Sequence, residues 1–168
     1  MRLCIGVVLL GVLMVAMSSA LAQSSQEVTM NRPGLSLRET FDLYVRAIDS
    51  TDVEALFSTV TDGEDFFFLS ADGRQLNRQE YYDFHQDWFA EVGWEMPVEL
   101  LTVREGEEYG YTHAIFYYRQ DLPDGRRYNL DSYFVLIFRK EDGMWKVVAD
   151  VCAPIKRYIC EADLEVTY

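Results

Sequence analysis

Between Trp94 and Ile155 the chain carries four long strand-like runs, about Trp94–Arg104, Tyr109–Gln120, Arg127–Lys140 and Met144–Ile155. Apolar and polar residues alternate along most of them, the pattern of a half-buried β-strand. They are separated only by Gly106-Glu107-Glu108, Leu122-Pro123-Asp124-Gly125 and Glu141-Asp142-Gly143. A parallel crossover takes a dozen or more residues, so breaks this short imply an antiparallel sheet. The third run contains Tyr133-Phe134-Val135-Leu136-Ile137-Phe138, apolar at both parities. A strand of that kind needs cover on both faces.

The upstream segment supplies cover for one face. Ser36 and Glu39 have the spacing of a capping box, and Leu37, Phe41, Tyr44, Val45 and Ile48 follow on one helical stripe. Asp52 can cap a shorter helix carrying Val53, Leu56, Phe57 and Val60. Asp65 to Leu69 reads as a short strand, turned by Asp72-Gly73 into a brief return at Gln75-Leu76. Asn77 and Glu80 form a second capping box, before a helix with Tyr81, Phe84, His85, Trp88 and Phe89 on its apolar side. Gly93 closes it. Three helices cover one face of the sheet, so a homodimer through the outer sheet face is expected.

Residues 1–22 have the parts of a cleavable signal peptide: Arg2, an apolar run from Cys4 to Ala16, and Ala20-Leu21-Ala22 before the cut. The apolar run is shorter than the roughly 20 residues of a membrane span. The expectation is a secreted or periplasmic protein without membrane attachment after cleavage. Residues 23–35 read as a flexible leader, 36–155 as one domain and 156–168 as a C-terminal tail.

The chain has 28 acidic and 15 basic residues, a net charge of −13, and loses one more positive charge with the leader. Nucleic-acid phosphates require a basic footprint, so that partner class is excluded, and an anionic membrane surface is disfavoured for the same reason. The hydrophobic content of 49% excludes a disordered acidic chain. Cys152 and Cys160 remain after cleavage. In an oxidising compartment they are expected to form a disulfide, the alternative being two free thiols. Zinc needs three or four Cys or His ligands, and the only histidines, His85 and His113, lie on unrelated segments. No metal or cofactor is expected, and no nucleophilic triad order or Gly-rich phosphate loop is present.

Three segments together carry a family resemblance: Tyr44-Val45-Arg46-Ala47-Ile48-Asp49-Ser50-Thr51-Asp52-Val53-Glu54-Ala55-Leu56-Phe57, then Phe68-Leu69-Ser70-Ala71-Asp72-Gly73-Arg74, then Phe138-Arg139-Lys140-Glu141-Asp142-Gly143-Met144-Trp145-Lys146-Val147-Val148. In this order they resemble the nuclear transport factor 2-like superfamily, which includes SnoaL-like cyclases and ketosteroid isomerases. The resemblance implies a cystatin-like α+β fold: a strongly curved antiparallel β-sheet with three N-terminal helices forming a cone-shaped pocket. Unrelated chemistries use that pocket, so fold alone does not decide function.

Ketosteroid isomerase chemistry uses an Asp base with a Tyr and a protonated Asp. Tyr44 matches the family's tyrosine on the first helix. The base position falls near Phe68 or Ser70 and the second acid near Phe134, none of them a carboxylate. Asp131 is close to the latter but of opposite parity. Steroid isomerase activity is therefore not expected. Asp150 interrupts Val147-Val148-Ala149-Asp150-Val151-Cys152, on a strand that the resemblance makes pocket wall. A buried carboxylate there is either a functional group or a structural hydrogen-bond partner. Tyr44 is a core or a pocket tyrosine, and His113 a pocket or an interface residue. His85 reads as helix packing. The expected ligand site is Tyr44, Trp88, Trp94 and Asp150, with His113 and Asp131 as further polar pocket or interface residues. Three functions follow: binding of a small, mostly apolar molecule; a lyase, cyclase or isomerase using Asp150 or His113 with Tyr44; or a homo-oligomeric assembly module.

Overall fold

Helix α1 (Leu37–Asp49) begins at a complete capping box. The Glu39 amide donates to Ser36 Oγ over 3.2 Å, and the Ser36 amide donates to Glu39 Oε2 over 2.8 Å. Asp52 caps α2 (Val53–Ser58) by accepting from the Ala55 amide. Asn77 and Glu80 cap α3 (Arg78–Phe89) in the same reciprocal way. Each cap satisfies amides that the first helical turn leaves without partners.

The computed structural model describes residues 29–161. The signal peptide assigned to 1–22, the leader to residue 28 and tail residues 162–168 lie outside the described residues. The leader from Asn31 is tied down: its amide donates to Ser58 Oγ and its side chain to the Trp145 carbonyl.

Seven strands make one curved sheet: β1 (Phe67–Leu69), β2 (Gln75–Leu76), β3 (Trp94–Glu95), β4 (Val98–Glu105), β5 (Tyr109–Asp121), β6 (Arg126–Glu141) and β7 (Met144–Glu161). Their order is β2-β1-β7-β6-β5-β3, with β4 also paired to β5. All pairs are antiparallel except β1 with β7. The first long run is two strands because Met96-Pro97 interrupts it, and Pro97 has no amide to give the ladder.

β7 also exceeds its expected end at Ile155. Lys156 to Glu161 pair with β6 from Asp131 back to Arg126, so part of the expected tail belongs to the sheet. Exposed, charged residues at its end hid the strand.

That extension overturns the expected disulfide. Cys152 and Cys160 lie on the same strand and are free thiols. Eight positions of extended chain span about 25 Å, whereas a disulfide joins Cα atoms no more than about 7 Å apart. Short separation in sequence closes no loop when the chain between is a strand.

The core lies between the helices and the concave face. Phe134, Leu136 and Phe138 of β6 are buried there beside Leu37, Phe41 and Tyr44. Tyr133 and Ile137, of the other parity, remain 39% and 37% exposed on the outer face. Gly110 of β5 lies under α1. A Cβ there would meet Leu37 Cδ1 at 2.2 Å and the Arg104 carbonyl oxygen at 2.6 Å. The second contact is backbone and cannot rotate away. Gly110→Ala is expected to destabilise the fold by about 1–3 kcal/mol, the scale of overpacking, measured as a lowered urea midpoint. An unchanged midpoint would mean that α1 does not rest on β5 as described.

Candidate functional site

Between the helices and the concave face is a cavity of about 840 Å³. Its lining is mostly aromatic and aliphatic, with Phe68, Phe84, Phe116, Tyr118 and Phe134 among the walls. Asp150 enters it from β7. The register sets Asp150 between Phe68 of β1 and Leu136 of β6, which places it on the inward parity. It is 3% exposed.

Two tyrosines meet this carboxylate. The Tyr44 hydroxyl, from α1, donates to Asp150 Oδ2 over 3.0 Å, and the Tyr81 hydroxyl, from α3, donates to the same oxygen over 2.9 Å. The two hydroxyls are 2.6 Å apart. Both tyrosines are fully enclosed. Among the described residues, Oδ1 has only the Cys152 thiol, at 4.0 Å.

Three oxygens thus touch one another pairwise. With Asp150 ionised, two hydroxyl protons serve three contacts. With Asp150 protonated on Oδ2, three protons fill all three contacts as a ring. Burial raises the Asp150 pKa from 3.8 to about 6, against the hydrogen bonds from Tyr81 and Tyr44 that lower it. The carboxyl therefore exchanges its proton near neutrality, where a general acid or base works best. Burial, first of all, pushes both tyrosines well above their usual range, with the Asp150 charge adding to it. Their protons stay on oxygen.

His85 also lines the cavity. It is 3% exposed, and its Nδ1 lies 2.9 Å from the Tyr81 carbonyl oxygen. Burial lowers its pKa from 6.5 to about 4, so the ring is neutral at pH 7. The lining also includes Glu80, Asp83 and Asp87 of α3, Glu91 just beyond its end, and the basic Arg74 and Arg157. This negative excess disfavours anionic ligands. Among the described residues no group of three or more His, Cys, Asp or Glu side chains could hold a metal ion.

The structure brings together Tyr44, Trp88 and Asp150 of the expected site. Trp94 is not on this cavity. It stands behind Trp88, ring centroids 4.7 Å apart, with its Nε1 donating to the Glu91 carbonyl. It lines a separate depression with Asp49, Thr51 and Pro97. The break at Met96-Pro97 ends β3 after two residues, and Trp94 stacks on Tyr118 without reaching the cavity itself. His113 is on the outer face, paired with Thr102 and Val135, its ring tilted against Tyr133 with centroids 5.1 Å apart. It cannot serve the cavity. Asp131 is outward too, in a largely buried ion pair with Arg119 at 2.6 Å. The sequence reading assigned Tyr81 and His85 no role in the site. Both lay on an apolar stripe, where packing is the ordinary use. The available signal was that their stripe must face the strand that carries Asp150.

A model of the SnoaL-like domain matches residues 37–152. The chain belongs to the SnoaL-like family. Solved structures share its fold at low identity. A ketosteroid isomerase-like protein from Erwinia carotovora atroseptica is 15% identical with a TM-score of 0.60, over 71% of this chain and 93% of its own. A proposed scytalone dehydratase from Novosphingobium aromaticivorans is 14% identical with a TM-score of 0.61, over 77% and 86%. An NTF-2-like protein of unknown function from Shewanella oneidensis is 15% identical with a TM-score of 0.57, over 69% and 94%. No curated protein matches the chain.

Within this SnoaL-like fold the raised pKa of Asp150 has a definite sign. Its contribution to stability is complete below about pH 4 and is lost as pH rises through about 6, because the folded state holds the proton more tightly than the unfolded one. Asn at this position keeps the shape and cannot ionise. The stability of Asp150→Asn relative to wild type is expected to increase by roughly 2–3 kcal/mol between pH 4 and pH 8, the equivalent of about two pKa units. His85 contributes with the opposite sign, since its lowered pKa costs stability as pH falls from 6.5 towards 4. That contribution is common to both proteins and cancels. Urea titrations at the two pH values measure the difference; a pH-independent difference would show an unperturbed Asp150.

Proposed function

We propose that the cavity binds a small, mostly apolar, uncharged molecule through a carbonyl or hydroxyl group, and that Asp150 moves a proton on it in a lyase- or isomerase-type reaction. The observation that carries this reading is Asp150, held by Tyr44 and Tyr81, on a cavity lined mostly by aromatic and aliphatic side chains. Pockets for small ligands combine an apolar lining with a few convergent polar groups. In an elimination of water, the Asp150 carboxylate takes the proton from the carbon next to the carbonyl. That C–H pair becomes the C=C bond, the C–O bond at the next carbon breaks, and the departing hydroxyl leaves as water with the proton. Tyr44, which lines the cavity, turns its hydroxyl from Asp150 to the ligand's carbonyl oxygen as charge develops there, an electrostatic contribution of the oxyanion type. The similarity to a proposed scytalone dehydratase supports this class.

A simple probe is 4-hydroxy-4-phenylbutan-2-one, which loses water to 4-phenylbut-3-en-2-one with a large change in ultraviolet absorbance. The wild-type protein is expected to accelerate the loss, and Asp150→Asn to reduce that acceleration at least 100-fold, the scale of acid–base catalysis. Binding without turnover would reduce the reading to a holding function. Neither binding nor turnover would end it.

We further propose that the protein works as a homodimer, in the exported compartment that its leader implies. On the outer face Leu101, Tyr111, Tyr133 and Ile137 are each more than a third exposed, and Val135 and His113 lie between them in the ladder. A contiguous apolar patch of this kind marks an interaction surface. Light scattering at micromolar protein is expected to give twice the chain mass, and Tyr133→Asp to halve it. A monomeric wild type would refute the dimer.

A further inference from the structure

We propose that His85 is the cavity's second recognition group, its Nε2 accepting a hydrogen bond from the ligand. The molecule bound would then carry an oxygen function at the Asp150 end and an O–H or N–H donor at the other. The inference rests on the cavity being the ligand site, and it adds a residue that the proposed chemistry does not use.

The argument begins with the tautomer. Nδ1 of His85 lies 2.9 Å from the Tyr81 carbonyl oxygen. A carbonyl only accepts, so Nδ1 carries the hydrogen. In a neutral imidazole the other nitrogen is then an acceptor with a free lone pair. The bond spans one turn of α3, which fixes the ring's orientation as well as its tautomer.

Aromatic rings surround that acceptor. Centroids of Tyr81, Phe84, Phe89 and Trp88 lie 4.2, 5.1, 5.4 and 5.5 Å from the imidazole. Among the described residues no hydrogen bond reaches Nε2, although the side chain is almost fully enclosed. The ring borders the cavity, and Nε2 is not one of the fully enclosed polar atoms that lack a partner, so the acceptor is open to the cavity and a bound molecule can supply its donor. A leucine or phenylalanine would fill the same aromatic nest but offer a ligand no acceptor.

Tyr81 sets the spacing between the two polar ends. Its hydroxyl is on Asp150, and its ring packs edge-on against His85. About one aromatic ring therefore separates the carboxyl from the imidazole, and a ligand with two polar functions across a ring matches that span.

The test compares 4-phenylbutan-2-one with 4-(4-hydroxyphenyl)butan-2-one, which differ only in the phenol. Calorimetric titration of wild-type protein is expected to show the phenol binding about fivefold more tightly, the scale of one neutral hydrogen bond. His85→Phe is expected to erase that preference while still binding 4-phenylbutan-2-one, and Asp150→Asn to weaken both ketones alike. Nitrogen NMR of the imidazoles gives a readout that leaves His85 in place. There are two histidines, and His113→Gln assigns the pair. The unprotonated nitrogen of His85 should be Nε2 in the free protein and should shift on adding the phenol but not 4-phenylbutan-2-one. Equal affinity for the two ketones, a preference that survives His85→Phe, or an unprotonated Nδ1 would each overturn the role given to His85. If neither ketone binds, the cavity reading fails first and this inference with it.

Discussion

The interior is organised around one buried carboxylate. Removing Asp150 from water is costly, and two hydroxyls on the same oxygen offset part of that cost. Each comes from a different helix: Tyr44 from α1 and Tyr81 from α3. The carboxylate thus ties both helices to β7, near the middle of the sheet. Apolar packing would hold the helices near the concave face without fixing their rotation. The hydrogen bonds choose a rotation, and that rotation also turns His85 and Trp88 towards the cavity.

The same constraint links stability to chemistry. A solvated carboxyl would be ionised throughout the neutral range, and a fully apolar site would keep it protonated. Burial against two tyrosines places its pKa at about 6, where either form is accessible. His85 is shifted the other way, to about 4, because its partner is a carbonyl and its walls are aromatic. One cavity therefore holds an acid that gives up its proton near neutrality and an imidazole that does not take one. Groups so separated are what acid–base assignment looks for. The negative excess along the lining keeps competing anions out of a space where they would raise the cost of ionising Asp150.

The two faces of the sheet solve different problems. On the concave side, Phe134, Leu136 and Phe138 enter the core, with Phe134 stacked on Phe41 of α1. On the outer side, Tyr133 and Ile137 stand exposed beside His113, while Asp131 is neutralised by Arg119. One strand, β6, carries both surfaces, as its double apolar parity required. The ion pair lies on the outer face, away from the cavity, and lets the outer ladder continue past a carboxylate without leaving its charge unpaired.

Much of this was legible without coordinates, and the limits have physical causes. The three caps, the α+β order and the antiparallel ladder followed from local pattern, because capping and period-two alternation are decided by near neighbours, while Tyr44 and Asp150 became pocket candidates with the help of the family resemblance. The reach of β7 to Glu161 was hidden, because a strand at the end of a sheet can be polar when only its backbone is paired. The cysteine pairing failed for the same reason: separation in sequence bounds the distance between two residues only after their conformation is known. Trp94 fell outside the cavity because it packs on Trp88 and Tyr118 rather than reaching past them. Tyr81 and His85 were read as packing, and they do pack; their roles arise because α3 faces the one strand that carries a carboxylate. The sequence by itself determined the elements, the charge and the apolar faces, since these depend on residues a few positions apart. Only the tertiary structure decided which polar groups share the cavity, because that depends on helix rotation and strand register across the width of the sheet.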